Sequence, residues 1–316
     1  MKSAARQYTL RTLVLTISLV AAVGGLNLVV DPYDYFGLNK LGVYISAERE
    51  AKASLVRTQP HEALLLGNSK AAMIPAGPLH GYRFFNAAFG GGTVDEMEQF
   101  IRRFARSEKL VVLSVDLGHY GAHPSPPDHF APWQPADVIG KTLNFKTLEY
   151  SFRTIGSYFQ HAPPHLIADG SFVSDRWFEL YDLDRPEELR WRLENMKRGL
   201  DSYDRAPGTG MEPLMRIAQI LRERRIPSVA FIPPIHEALS RHLLASTNYA
   251  RYQLWKQELQ AIFPGLLDFS TGPWTRASNF FKNDPVHFKP QAGVDLINQE
   301  ILPRVPELGA PANLTP

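Results

Sequence analysis

Apolar positions along the chain fall into three kinds of run. The first is a single unbroken stretch, TLVLTISLVAAVGGLNLVV (Thr12–Val30), 19 residues without a charge, about the length that crosses a bilayer core. The second kind is short, almost wholly apolar and ended by turn-formers: HEALLLGNS, YRFFNAAFGGG, KLVVLSVDLG, IPSVAFIPP and, more weakly, GLLDFS. Such runs predict strands buried on both faces of a parallel sheet. The third kind spaces its apolar residues three and four apart. TVDEMEQFIRRFARS does so with Met97, Phe100, Ile101 and Phe104, and EPLMRIAQILRERR, NYARYQLWKQELQAIF and KPQAGVDLINQEIL follow suit. These predict amphipathic helices. SAEREAKASLVRTQ (Ser46–Gln59) predicts one more, with a Ser cap.

Strands alternating with helices predict an α/β fold, a parallel sheet between helical layers, with working residues in loops at the carboxyl ends of the strands. One block breaks the alternation. Residues 119–207 have no strong strand signal, carry Trp133, Trp177 and Trp191, and predict helices near Val138–Phe159 and Pro186–Gly199. The block reads either as a mainly helical cap inserted after the third strand or as a thickening of the core. The expected organisation is therefore an N-terminus and transmembrane anchor (1–30), then a connector, DPYDYFGLNKLG, with its helix (31–60). The α/β domain takes 61–118 and 208–304, the insertion 119–207, and a flexible tail 305–316.

Charge orients the long run. Lys2, Arg6 and Arg11 precede it, and Asp31 and Asp34 follow at once. By the positive-inside rule the N-terminus stays in the cytoplasm and the rest is exported. The expected location is the bacterial inner membrane, single-pass, with the domain in the periplasm of a Gram-negative cell. A cleaved signal peptide is the rival reading, because LVAAVGG offers small residues at a cleavage point. The apolar run continues past that point, which favours a retained anchor. Elsewhere composition mainly excludes. The 34 basic and 32 acidic residues leave a net charge of +2 and no basic stripe interleaved with aromatics, so no nucleic-acid partner is expected. The 316 residues include no cysteine, which removes disulfides, thiolate metal sites and a Cys nucleophile.

Four strand-end turns carry the candidate chemistry. LLLGNSKAA sets Ser69 behind Gly67 and Asn68 at a strand-to-helix turn. A serine there can expose its hydroxyl, with its backbone N–H aimed into the same space; the same pattern also serves as a plain helix cap. FNAAFGGGT can lend N–H groups to an oxyanion through its glycines, or simply turn into a helix capped by Thr93, and it lacks the ending of a P-loop. LSVDLGHY puts Asp116 at the end of the third strand. NDPVHF, in a Pro-broken stretch before a helix, sets Asp284 and His287 three apart along one turn, where the carboxylate can fix the imidazole tautomer. Its alternative is a surface loop with an incidental His.

Taken in order, GNS, NAAFGGGT and DPVH resemble the sequence blocks of the SGNH (GDSL-type) hydrolases, from roughly Leu64 to Leu302 outside the insertion. The resemblance implies serine esterase chemistry on a flavodoxin-like three-layer α/β/α sandwich. It implies Ser69 as nucleophile, His287 as general base and Asp284 as the group that orients His287. The backbone N–H groups of Ser69 and Gly91 would form the oxyanion hole, together with the residue at Asp116. The anchor and DPYDYFG connector are similar to a membrane-tethered branch associated with exported polysaccharides. That implies an acylated carbohydrate or polysaccharide as substrate, acetyl esters foremost, a polysaccharide-biosynthesis or export complex as a further partner, and no cofactor.

Two of the blocks depart from the family pattern. Asn68 and Lys70 flank the serine, and Asp116 stands where the family has an Asn donor. An ionised Asp116 would repel an oxyanion, so it is expected to be displaced, held protonated by burial, or replaced by a donor such as His119. Two other functions stay open. One is a non-catalytic accessory protein that binds glycan or an export complex. The other is a metal-dependent hydrolase using His119, His123, His129, Asp116 and Asp128.

Overall fold

The computed structural model describes residues 2–43, 48–116, 128–130, 134–162, 165–173, 175–202 and 210–305. Five of the short apolar runs form one parallel sheet: β1 (Ala63–Leu66), β2 (Phe84–Asn86), β3 (Leu110–Ser114), β4 (Ser228–Ile232) and β5 (Leu267–Asp268). Their spatial order is β2-β1-β3-β4-β5. In register, Leu66 lies opposite Leu113 and Ser114 opposite Phe231, so the carboxyl ends of the three central strands come up together.

The strands are apolar throughout because both faces are covered. Successive side chains point to opposite faces, and they enter two separate clusters. Leu64, Leu66, Val111 and Leu113 pack with helices α4 (Val94–Phe104), α9 (Glu212–Glu223) and α11 (Tyr249–Ile262) through Met97, Phe100, Leu214, Ile217 and Trp255. Ala63, Leu65, Leu110 and Val112 pack instead with Ile74, Phe280, Phe288, Val294 and Ile297. Each large apolar side chain buried this fully contributes about 1.5–3 kcal/mol relative to exposure.

Among the described residues, two helices precede the sheet. α1 (Lys2–Val30) contains the long apolar run, and its segment Ala5–Val30 is long and apolar enough to cross a membrane. It ends at Asp31, whose φ of 44° gives the left-handed turn of a helix end. The Asp31 carboxylate then accepts the N–H groups of Tyr35, Phe36 and Leu38, so the connector is a tied loop. α2 (Glu48–Thr58) follows; the expected Ser46 cap lies outside the described residues.

Between β3 and α9 the described residues form four helices: α5 (Pro135–Thr142), α6 (Phe145–Phe159), α7 (Asp175–Tyr181) and α8 (Pro186–Asp201). This segment is also woven into the sheet edge, since Asn86 N–H donates to the Asp169 carbonyl at 2.8 Å and Leu166 bridges Phe172. The short helix α10 (Glu237–Ala245) follows β4. One expectation is corrected near the C-terminus. The Asp284–His287 stretch is a strand, β7 (Asp284–Phe288), paired antiparallel with β6 (Phe280–Phe281). The Phe280 and Phe288 pair that anchors this hairpin in the core overrides the break expected from Pro285. α12 (Pro290–Leu296) then runs on through a π turn over Ile297–Ile301. Most of the expected tail lies outside the described residues.

Candidate functional site

Ser69 opens α3 (Ser69–Ala72), a single helical turn directly after β1. The tight entry explains the glycine two residues earlier. A Cβ on Gly67 would stand 2.7 Å from Ala71 Cβ and 2.8 Å from Ser114 Cβ, closer than side chains pack. Asn68 caps the turn by accepting the Lys70 N–H at 3.0 Å, a task that Asn and Asp share.

The turn is held from β2. Asn86, fully buried, donates to the carbonyls of Ala71 at 3.0 Å and Ile74 at 2.7 Å, and accepts the Ala88 N–H at 3.0 Å. Its side chain thus ties α3 to the following glycine loop. That loop is pinned to the same place, because Phe89 N–H donates to the Gly67 carbonyl at 3.1 Å. Beneath it Lys52, from α2, is fully buried, donates to the Ala88 carbonyl and lies over the Phe89 ring. Burial pulls its ammonium down to about 8.

The structure brings Ser69, His287 and Asp284 together. Asp284 Oδ2 lies 2.6 Å from His287 Nδ1, and His287 Nε2 lies 2.9 Å from Ser69 Oγ. A carboxylate can only accept, so Nδ1 carries the proton and Nε2 is left to accept the serine O–H. Asp284 is fully buried, and its other oxygen accepts the Val286 N–H at 2.8 Å. Burial pushes its carboxyl up, but the His287 hydrogen bond and charge, the Val286 N–H and Arg192 outweigh burial and hold it below the usual carboxylate value.

Two insertion residues complete the surroundings. The Tyr181 ring, at the end of α7, stacks on the His287 ring at 5.8 Å with planes 21° apart. Arg192, on α8, lies over the Tyr181 ring, 5.6 Å from its centroid, and its Nη1 is 4.0 Å from Asp284 Oδ1. Asn283, beside Asp284, closes the contact by donating to the carbonyls of Tyr181 and Leu180.

The remaining expected residues divide. Gly91 sits at φ 61°. Gly90 N–H donates to Glu48 and Gly92 N–H to the Phe89 carbonyl, while Gly91 N–H has no acceptor among the described residues. Asp116 is paired: Lys70 forms an ion pair with it, and both side chains are nearly buried. The three outcomes expected for Asp116 omitted this one, because nothing in the spacing links position 70 to position 116. Of the metal-ligand candidates, His119 and His123 lie outside the described residues. Asp128 pairs with Arg103 at 2.9 Å, and among the described residues no three His, Asp or Glu side chains converge as a metal site.

The site missed by sequence reasoning is its support: Asn86, Lys52, Tyr181 and Arg192. Asn86 alone had a local signal, as a polar residue ending an apolar strand before glycines. Compared with known proteins, the chain matches no family model and no curated sequence.

Proposed function

We propose that the chain is a membrane-tethered serine esterase or O-acyltransferase of the SGNH type, acting on acyl esters of an exported polysaccharide through an acyl-Ser69 intermediate. The observation that carries this is the continuous Ser69–His287–Asp284 hydrogen-bonded series at 2.9 and 2.6 Å. His287 Nε2 takes the Ser69 proton as Oγ attacks the ester carbonyl. The alkoxide of the leaving group then takes that proton from Nε2. Water or a sugar hydroxyl, deprotonated by the same nitrogen, then attacks the acyl carbon, and Ser69 Oγ leaves with the proton that Nε2 returns to it. Ser69 N–H opens a helix, where such groups lack helical acceptors, and with Gly91 N–H it would hold the oxyanion. The strand order β2-β1-β3-β4-β5 is the flavodoxin-like order. With the two separate face clusters, it supports the three-layer sandwich. The apolar α1 behind a basic N-terminus supports an inner-membrane anchor and a periplasmic domain.

The test is turnover of p-nitrophenyl acetate by the full chain in detergent. Loss of turnover in both Ser69→Ala and His287→Ala supports the reading; equal turnover in all three proteins overturns it. A second reading, a non-catalytic glycan binder, is favoured by one observation. The Lys70–Asp116 ion pair occupies the position from which the resemblance expects a hydrogen-bond donor. Glycan binding that survives Ser69→Ala, with no turnover by the wild type, would select it.

A further inference from the structure

We propose that the α5–α6 hairpin of the insertion is a second membrane contact, lying in the headgroup and acyl-chain boundary beside the outer end of α1. The inference rests on α1 entering a bilayer, and is independent of the chemistry proposed for Ser69.

The hairpin is fastened to α1. Both of its helices pack on α1. Asn27, only 2% exposed despite its place in an apolar helix, donates to the Thr142 carbonyl and accepts the Ser151 hydroxyl, each at 2.8 Å. Gly24 admits Leu143, whose Cδ2 would lie 3.0 Å from a Cβ there. Gly24 is six residues before Val30, which puts Leu143 about 9 Å inward of the last apolar residue of α1 at 1.5 Å rise per residue. Interfacial helices bury their apolar face to about 5–10 Å, so the depth fits. Between α1 and α5 runs an open apolar cleft lined by Ile17, Val20, Ala21, Leu28, Val138 and Leu143. Its walls are continuous with the spanning helix, and a lipid acyl chain fits that chemistry.

The free face of α6 has the matching pattern. Thr147, Ser151 and Thr154 are buried, on the side turned to α1. Phe145, Phe152 and Phe159 are 85%, 59% and 74% exposed. At about 3.6 residues per turn they share one stripe, bordered on one side by the buried face and on the other by Lys146, Glu149 and Arg153. A stripe of phenylalanines flanked by a charged edge is the arrangement of a helix lying in a membrane interface. Exposed apolar side chains of this size would otherwise carry an aggregation cost in water. Lys141 and Lys146 lie over Tyr33 and Tyr150 and pair with Glu50 and Glu149 at 3.4 and 2.9 Å.

The absence of cysteine makes the test direct. Single-cysteine variants of the full chain, each labelled with an environment-sensitive dye, are reconstituted into phosphatidylethanolamine–phosphatidylglycerol vesicles with or without brominated acyl chains. Leu19→Cys, inside α1, reports membrane insertion. Leu254→Cys reports an exposed apolar site on α11, which packs on α9 and α10. The expected result is loss of fluorescence to bromine for Phe145→Cys, Phe152→Cys and Phe159→Cys as for Leu19→Cys, and none for Leu254→Cys. Quenching at Leu19→Cys alone overturns the second contact and leaves the anchor standing. Quenching at neither overturns both. A blue-shifted dye at Phe152→Cys without quenching means that another protein surface covers the stripe, which also overturns the proposal.

Discussion

Lys70, the residue after Ser69, and Asp116 are partners in a nearly buried ion pair. They are also the positions that, with Asn68, depart from the pattern of the resembling family. The charge that made Asp116 look incompatible with an oxyanion is thus met by the cation that follows Ser69. Removing one member of such a pair takes away a charge partner of the other, at a cost of up to about 3–5 kcal/mol. The expected outcome is that Asp116→Asn and Lys70→Met each lower the urea midpoint, and that the double variant recovers much of the loss. A double-mutant cycle with coupling under about 0.5 kcal/mol would contradict the pairing.

Asp284→Asn preserves shape but not the proton pattern. An amide can donate to Nδ1, which turns the His287 tautomer so that Nε2 no longer accepts from Ser69. Substitutions of this kind in Ser-His-Asp sites lower kcat about 10⁴-fold. The expected result is a collapse of kcat with KM little changed, measured on p-nitrophenyl acetate. Retention of kcat would detach Asp284 from the proposed reaction.

Arg192 reaches the same carboxylate from the insertion, and its removal has a pH signature. Asp284 is held below its ordinary value, so its ionised form stabilises the fold above the unfolded value. That contribution is lost as pH falls through the lower, folded value. Arg192→Gln withdraws one of the lowering influences. The loss of stability should be fully present at neutral pH and shrink to nothing as pH falls below the folded value, read as urea midpoints by circular dichroism from neutral into the acid range.

Lys52 acts at the other end of the scale. Its folded value is about 8, against 10.5 for an ordinary lysine. Between those values the unfolded chain carries a proton that the folded chain does not, so this group makes stability rise with pH from about 8 to about 10.5. The slope is at most about 1.4 kcal/mol per pH unit. Lys52→Met should lose that rise when urea midpoints are compared at successive alkaline pH values. An unchanged slope would mean that Lys52 is solvated.

The sheet was legible because each of its strands is an apolar run ended by a turn-former, and such runs have few other fates in a chain of this length. Ser69 was legible for the same local reason: Gly67 must be glycine where β1 passes Ser114. The hairpin of β6 and β7 was not, because Asp-Pro reads as a break, and only the distant packing of Phe280 with Phe288 makes it a strand. The supports of the site were hidden for a related reason. Tyr181 and Arg192 belong to a block whose own pattern is generic helix, and their meaning comes from where α7 and α8 dock. Lys52 acts through a hydrogen bond to a backbone carbonyl, which leaves no trace in residue spacing, while Asn86 showed only as a polar residue ending an apolar strand.

The hydrogen bond between Ser69 and His287 joins positions 218 residues apart. Synthesis from the N-terminal side makes α1 and β1 well before the β6–β7 hairpin that carries His287. A nascent chain can therefore hold α1 and much of its sheet while Ser69 still lacks its imidazole partner. On the proposed reading, assembly of the trio serves as a checkpoint: the serine stays inactive until the β6–β7 hairpin has been delivered and seated.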